Sequence, residues 1–502
     1  MVKSYRLFIY LPAVFICLIL IGIPTGLSSA DDTQDYTEIP SSFDMRDIGI
    51  SEVRNQMNLG LCWTFAACES LESYLFASGM EELNTELSEA LLAYFTFNIS
   101  TDPLGGTEGD SVTVYPNVFT RGGDDYFTAF TLAKWSGLTS EETQGMLYSD
   151  ITQYTTFSSD LTYSDQIAYL KGMEILNITT DTDKIKERLM EGYAATCSFY
   201  MDPDLIYEVS GSDDRSYYCG NVNSANHEVT LVGWDDNYSA SNFKETPAGD
   251  GAWLIKNSWG TGGLIGDGYM WISYYDVNFS NYVTFFQTVS TDTYDRNYQY
   301  DGGISINSDI TATSGSMMSN VFTAQEFEDL KAIAMPWYMD KSMNYTISIY
   351  TDLTDSSDPT SGVLESVTKG SVDGYGYYVI DLSQSVYLKD GETFSVVVCL
   401  ESQDGSDVSI GVDTDENGYN NDGTLDYICD TTALEGQSFI YTEENGWVDI
   451  GADGSSNVRL KAYTVDTDET TVITAGIIFA IIVSLIIVGA VYTVFNNKLK
   501  MN

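Results

Sequence analysis

Residues Asn55–Leu75 read NQMNLGLCWTFAACESLESYL, with one cysteine, Cys62, set between a Gly-Leu pair and a tryptophan. A cysteine among aromatics is ordinarily inert core. Downstream of it Phe65, Ala66, Leu71, Tyr74 and Leu75 recur at helical spacing, which predicts a helix from Cys62 to about Ala77. A cysteine that opens a helix differs from one inside it. The unpaired amides and the dipole at a helix N-terminus favour the thiolate. Whether Cys62 reacts therefore turns on what the rest of the chain can place beside it.

The 502 residues contain a single histidine, His227, in SANHEVTLVGWDDN. A thiol nucleophile at neutral pH needs a base or a cationic partner, and imidazole is the usual one. His227 starts an apolar strand well downstream of Cys62, an order that suits a pair joined in space rather than in sequence. Thirty residues further on, GAWLIKNSWGTGG carries Asn257 and Trp259. The amide oxygen of Asn257 suits the second imidazole nitrogen, fixing tautomer and orientation, and Trp259 suits a roof that excludes water. Gln56 lies six residues before Cys62 and offers a side-chain N–H which, with the Cys62 backbone N–H, would form an oxyanion hole. Gly60 would allow a substrate to approach closely.

Other segments group into two folded units. TELSEALLAYF and DDYFTAFTLAKWSG read as helices, the second ending at Gly137, and AATCSFYM, HEVTLVGWDD, GAWLIKNSW and GYMWISYYD read as short strands. Helices first and strands later predict an α+β domain over 39–290. Residues 295–466 lack helical periodicity. Runs such as MNYTISIYT, GYYVIDLS, TFSVVVCL and NVRLKAYTV, separated by Asp/Gly/Ser turns, predict an all-β sandwich. Within it, Asp413, Asp415 and Asn417 followed by Gly418 match the start of a calcium loop, but Thr424 stands where a bidentate glutamate is expected. A solvated acidic loop is the plainer reading.

The chain carries 73 acidic and 22 basic residues, a net charge of −51. Such a surface repels nucleic acid and supports solubility. Residues 1–30 have the form of a signal peptide: basic Lys3 and Arg6, an apolar run, then small residues before Ala30. Residues 472–495 hold no charge and are long enough for one transmembrane helix, followed by a lysine-bearing tail, 496–502, expected to be cytoplasmic. Sequons at Asn98, Asn177, Asn237, Asn278 and Asn344 agree with an exported location. Beyond Cys17 six cysteines remain, with Cys399–Cys429 a candidate bridge.

Together, NQMNLGLCWTFAA, NHEVTLVGW and LIKNSWG resemble the signature blocks of papain-like cysteine peptidases, in that family's chain order. IPSSFDMRDIG is similar to the start of the mature enzymes, and RGGDDYFTAFTLAKWSGL to the segment along the substrate cleft. The resemblance implies a two-lobed fold, one lobe helical and the other β-barrel-like. It implies Cys62 as nucleophile, His227 as its ion-pair partner, Asn257 as orienter and Gln56 in the oxyanion hole. Gly122 and Gly123 match the backbone that hydrogen-bonds an extended substrate. Most members bridge a cysteine three residues before the nucleophile to one just before the Gly-Gly pair, whereas this chain has Leu59 and Thr120 there. Leu61 replaces the usual serine, and residues 31–38 leave no room for the family's inhibitory propeptide. The long His227–Asn257 interval resembles prokaryotic, especially archaeal, surface members that carry a lectin-like β domain. The expectation is a membrane-anchored, extracellular cysteine endopeptidase acting on protein or peptide without a cofactor, with surface glycan a candidate partner of the β domain. The alternatives are an adhesion or wall-binding protein on an inactive peptidase fold, and a wall-peptide isopeptidase or transpeptidase.

Overall fold

The computed structural model describes residues 38–467, apart from 84, 307, 420–422, 453 and 455. The expected signal peptide, the expected transmembrane segment 472–495 and the tail 496–502 lie outside the described residues. Among the described residues no helix is long and apolar enough to cross a membrane.

Helix α1 (Cys62–Ala77) runs through the centre of the first half, buried on nearly every side from Trp63 to Leu75. Two shorter helices pack around it. Helix α2 (Glu89–Phe97) is capped by Ser88, whose hydroxyl oxygen accepts from the Leu91 N–H, and α3 (Asp125–Ala133) is capped by Asp124 through the Tyr126 and Phe127 amides. Each cap satisfies amides that a helix start leaves unpaired. Helix α3 ends four residues short of Gly137. Trp135 takes a left-handed conformation, φ 63°, and stacks on Tyr169 at a centroid distance of 4.1 Å. The chain thus turns to bury an aromatic where helical periodicity alone would carry on.

The strands β1 (Ala168–Asn177), β2 (Ala195–Phe199), β3 (His227–Asp235), β4 (Ala252–Lys256), β5 (Tyr269–Ser273) and β6 (Tyr282–Ser290) form one antiparallel array in the order β1-β6-β2-β3-β4-β5. That array does not close at residue 290. The outer edge of β1 pairs with β9 (Gly376–Leu388), Met173 opposite Tyr377. The sheet then continues through β8 (Glu328–Trp337) and β10 (Lys461–Asp466) to β7 (Arg296–Tyr298). The two expected domains share a sheet, and the described residues from Pro40 onward form one compact unit. One apolar cluster joins Ala67, Leu71 and Leu75 of α1 to Met173, Ala332, Ala334, Tyr377 and Tyr463.

The second half is a sandwich. A six-stranded sheet, ordered Val363–Val372, Met343–Thr351, Thr393–Ser402, Met317–Thr323, Ser438–Thr442 and Gly446–Asp449, packs on the β7–β10 part of the shared sheet. Alternation puts Ile347, Ile349, Val396 and Val398 inward against Ile333, Met335, Ile380 and Val386. Full burial of each such side chain contributes about 1.5–3 kcal/mol.

The cysteine bridge expected in this half is not formed. Cys399 and Cys429 are both free thiols. Cys399 lies on the six-stranded sheet, whereas Cys429 pairs across to Val112 in the first half and its sulfur accepts from the Ile304 amide. The calcium-loop residues do not converge. Asp413 is fully buried, 2.9 Å from the Arg459 guanidinium, and Asp415 accepts from the Thr431 amide, while Asn417 sits in a strand opposite Ile428. Among the described residues no cluster of three or more His, Cys, Asp or Glu is arranged to hold a metal. The Asn278 sequon is buried as well, its amide bonded to Asn221 and Asn223.

Candidate active site

Cys62 is the first residue of α1. Leu61 precedes it without a side-chain cap, so the first amides of the helix remain turned toward the cleft. The backbone amides of Glu228, Trp63 and Cys62 itself face the sulfur and favour its thiolate, while burial, the larger effect, pushes the thiol up. The Glu228 amide belongs to the residue after His227, so the start of β3 abuts the start of α1. Cys68, one helical stretch further in, is fully enclosed and pushed up much further. It has the inert role.

His227 is 7 % exposed, and its Nε2 lies 2.9 Å from Asn257 Oδ1. That oxygen also accepts from the Ser258 amide at 2.7 Å, which fixes the asparagine and turns its acceptor toward the ring. The Trp259 ring covers the imidazole at a centroid distance of 4.9 Å. Burial lowers the His227 pKa to about 4, with the Asn257 hydrogen bond opposing. Burial thus disfavours thiolate and imidazolium separately, and each charge is the natural counter-ion of the other.

Gln56 is threaded beside the same loop. Its amide N–H donates to the Ser258 carbonyl at 2.8 Å and its Oε1 accepts from the Ser258 hydroxyl at 2.6 Å. Its Nε2 donates to the Leu59 carbonyl at 2.7 Å. The neighbouring Asn55 bridges Trp259 in antiparallel fashion, so the first and third sequence blocks meet as backbone.

Gly60 has a reason other than substrate access. A Cβ there would lie 2.7 Å from the Thr120 carbonyl oxygen, and the Gly60 amide donates to Phe119 at 2.8 Å. With Leu59 packed in the same apolar cluster as Phe119, these contacts hold together the two segments that most family members cross-link. Gly123 is required because a Cβ would overlap the Trp63 ring, whereas Gly122 faces open space. Arg121, just before them, forms an ion pair with Asp426 of the second half and covers the Phe97 ring at 4.4 Å. The β domain therefore holds one wall of the cleft.

Sequence reasoning missed the charges beneath the site. Lys256, next to Asn257, is 4 % exposed and paired with Glu69 of α1, and its Nζ donates to the Ser51 carbonyl at 2.8 Å. Arg54 pairs with Glu72 and Glu89, each at 2.8 Å. Burial raises both carboxyls, Glu89 to about 8. The available signal was a lysine inside the apolar run AWLIKNSW and two acids in an otherwise apolar helix.

Comparison with known proteins agrees with this geometry. Residues 39–286 match the model of the papain family cysteine protease, and residues 297–464 match that of the lectin like domain. This is a papain-family protein with a lectin-like second domain. A cysteine protease of Blomia tropicalis is 27% identical over 264 residues, covering 50% of this chain and 66% of that protein. The oryzain gamma chain of Oryza sativa subsp. japonica is 29% identical over 231 residues, covering 45% and 53%. The chain thus spans about half to two thirds of the length of these curated relatives. Among solved structures, the cysteine protease and lectin-like domains of Cwp84, a surface layer associated protein of Clostridium difficile, superpose with TM-score 0.68 at 22% identity. That match covers 86% of this chain and 90% of the other, so the papain-family protein shares the two-part fold over most of its length.

Proposed function

We propose that this papain-family protein is a cysteine endopeptidase of the cell surface, with Cys62 as nucleophile. The observation that carries the reading is the buried His227–Asn257 hydrogen bond of 2.9 Å, roofed by Trp259, beside the thiol that opens α1. The Cys62 thiolate attacks a peptide carbonyl, and the resulting oxyanion is met by the Cys62 amide and the second Nε2–H of Gln56. Protonated His227 gives its proton to the leaving amine. Neutral His227 then takes a proton from water, whose oxygen displaces the thiolate from the thioester. Asn257 keeps the ring in the tautomer this exchange needs. Gly122 and Gly123 bind the substrate backbone.

Residues 1–30 direct export and 472–495 tether the enzyme, leaving the catalytic half outside the cell and 496–502 inside. The lectin-like match supports a surface glycan as partner of the second half. The activity is tested with residues 31–470 on a peptide library, alongside labelling by an electrophilic peptide. Cleavage and labelling that both vanish in Cys62→Ala support the reading. Thiol-inhibitor-sensitive cleavage persisting in Cys62→Ala would sink it, and an unlabelled Cys62 would favour a binding protein on an inactive fold.

A further inference from the structure

Most buried acids of this molecule have an evident counterpart. Glu69 faces Lys256, Glu72 and Glu89 face Arg54, Asp301 faces Lys461, and Asp413 faces Arg459. Asp102 and Asp276 are held instead by backbone amides, and one further pair of carboxyls, beside the Cys62 thiol, has no cation. Asp125 follows the Gly122–Gly123 segment by two residues, and Glu228 directly follows His227. The two carboxyls are within hydrogen-bonding reach of each other across the gap between the helical part and β3. Both side chains are only partly exposed, yet neither forms an ion pair among the described residues.

The surroundings of this pair are specific. The Thr196 hydroxyl donates to Asp125 at 2.8–2.9 Å, and Thr284 adds a second hydroxyl. These donors favour charge on Asp125, so the proton shared by the pair resides on Glu228, whose carboxyl also lies close to Cys62 and Asp124. Asp124 is occupied as the cap of α3 and is not counted in the recess. What remains is a carboxylic acid–carboxylate pair, partly exposed and next to the Cys62 thiol, with a proton where a lysine or arginine could sit.

We infer that the recess formed by Asp125 and Glu228 selects a basic side chain, lysine or arginine, on the peptide substrate. The inference rests on the peptidase reading and deepens it by naming the substrate class. An extended substrate along Gly122–Gly123 alternates its side chains, so one residue shortly before the scissile bond points into the recess. Its ammonium or guanidinium replaces the shared proton, which leaves to solvent, and both carboxylates then accept charge-assisted hydrogen bonds.

The test uses fluorogenic peptides in which a single lysine is walked through the three residues before the scissile bond of an otherwise leucine- and alanine-based sequence. Wild-type protein should favour lysine at one of these positions by about 10- to 100-fold in kcat/KM, the range of a hydrogen bond to a charged group. Glu228→Gln and Asp125→Asn should each bring that lysine-to-leucine ratio towards unity. The ratio is read within each protein, so partial loss of folded material cancels. Equal cleavage of lysine and leucine peptides by the wild type overturns the inference while leaving the peptidase reading intact. A ratio unchanged in both variants also overturns it. Failure to cleave or label with any peptide is a different result and refutes the peptidase reading itself.

Discussion

Because His227 is the only histidine in the chain, its ionisation can be read without assignment. In Cys62→Ala the thiolate that would stabilise an imidazolium is gone, and only the surroundings of the ring remain. Those are Phe199 at 6.0 Å, Trp259 at 4.9 Å and a single neutral acceptor, Asn257 Oδ1. Burial then dominates, and the ring should titrate near pH 4 rather than 6.5. That displacement is worth about 3 kcal/mol. The assay is the chemical shift of carbon-13-labelled histidine against pH. Wild-type protein should titrate well above the variant, with imidazole and thiol losing protons as a coupled pair. The sign carries over to stability. Between pH 6.5 and 4 the unfolded variant binds a proton that the folded one refuses. The contribution is therefore full above 6.5 and is lost on acidification, by about 3 kcal/mol at pH 4. A midpoint at or above 6.5 in Cys62→Ala would refute the desolvated ring, and identical midpoints in the two proteins would refute the thiolate–imidazolium contact.

Three further outcomes follow from the same contacts. Asn257→Ala removes the acceptor of His227 and should lower kcat/KM by about 10- to 100-fold with KM little changed, measured on any cleaved peptide. Arg54→Met leaves Glu72 and Glu89 without their cation and should destabilise the fold by about 3–5 kcal/mol. Because Glu89 is raised to about 8, it is protonated in the native state between pH 4.5 and 8, so the loss, followed by denaturant unfolding, should be smaller at pH 5 than at pH 8. Gly123→Ala would drive a methyl group into the Trp63 ring and should cost about 1–3 kcal/mol, seen as a lower melting temperature together with weaker peptide binding.

The candidate site was legible because its chemistry needs rare residues. One histidine and an asparagine beside a tryptophan leave few ways to partner a thiol, even at separations the sequence does not measure. Helix α1 was equally legible, since its apolar spacing is local. What escaped depends on who sits opposite whom. Nothing in the run DDYF says that Asp125 faces Glu228, about a hundred residues later, and nothing in AWLIK says that its lysine meets Glu69 through the floor of the site. The proposed Cys399–Cys429 bridge failed for the same reason: residues close in sequence were carried to different sheets. Helix α3 stops before the expected Gly137 because the chain turns left-handed at Trp135, where the indole stacks on Tyr169.

The junction between Met173 and Tyr377 bears on how this chain could be divided. A boundary near residue 290, natural by sequence, would strip β9 from β1 and leave the backbone groups of Gly172, Met173 and Glu174 on that edge open to any other strand nearby. It would also release Asp426 from Arg121 and the strand Leu425–Asp430 from Ser111–Val114. A shortened chain ending there should self-associate and hold its cleft poorly. In architectural terms the lectin-like half is a buttress, and the peptidase half completes its own fold only when leaning on it.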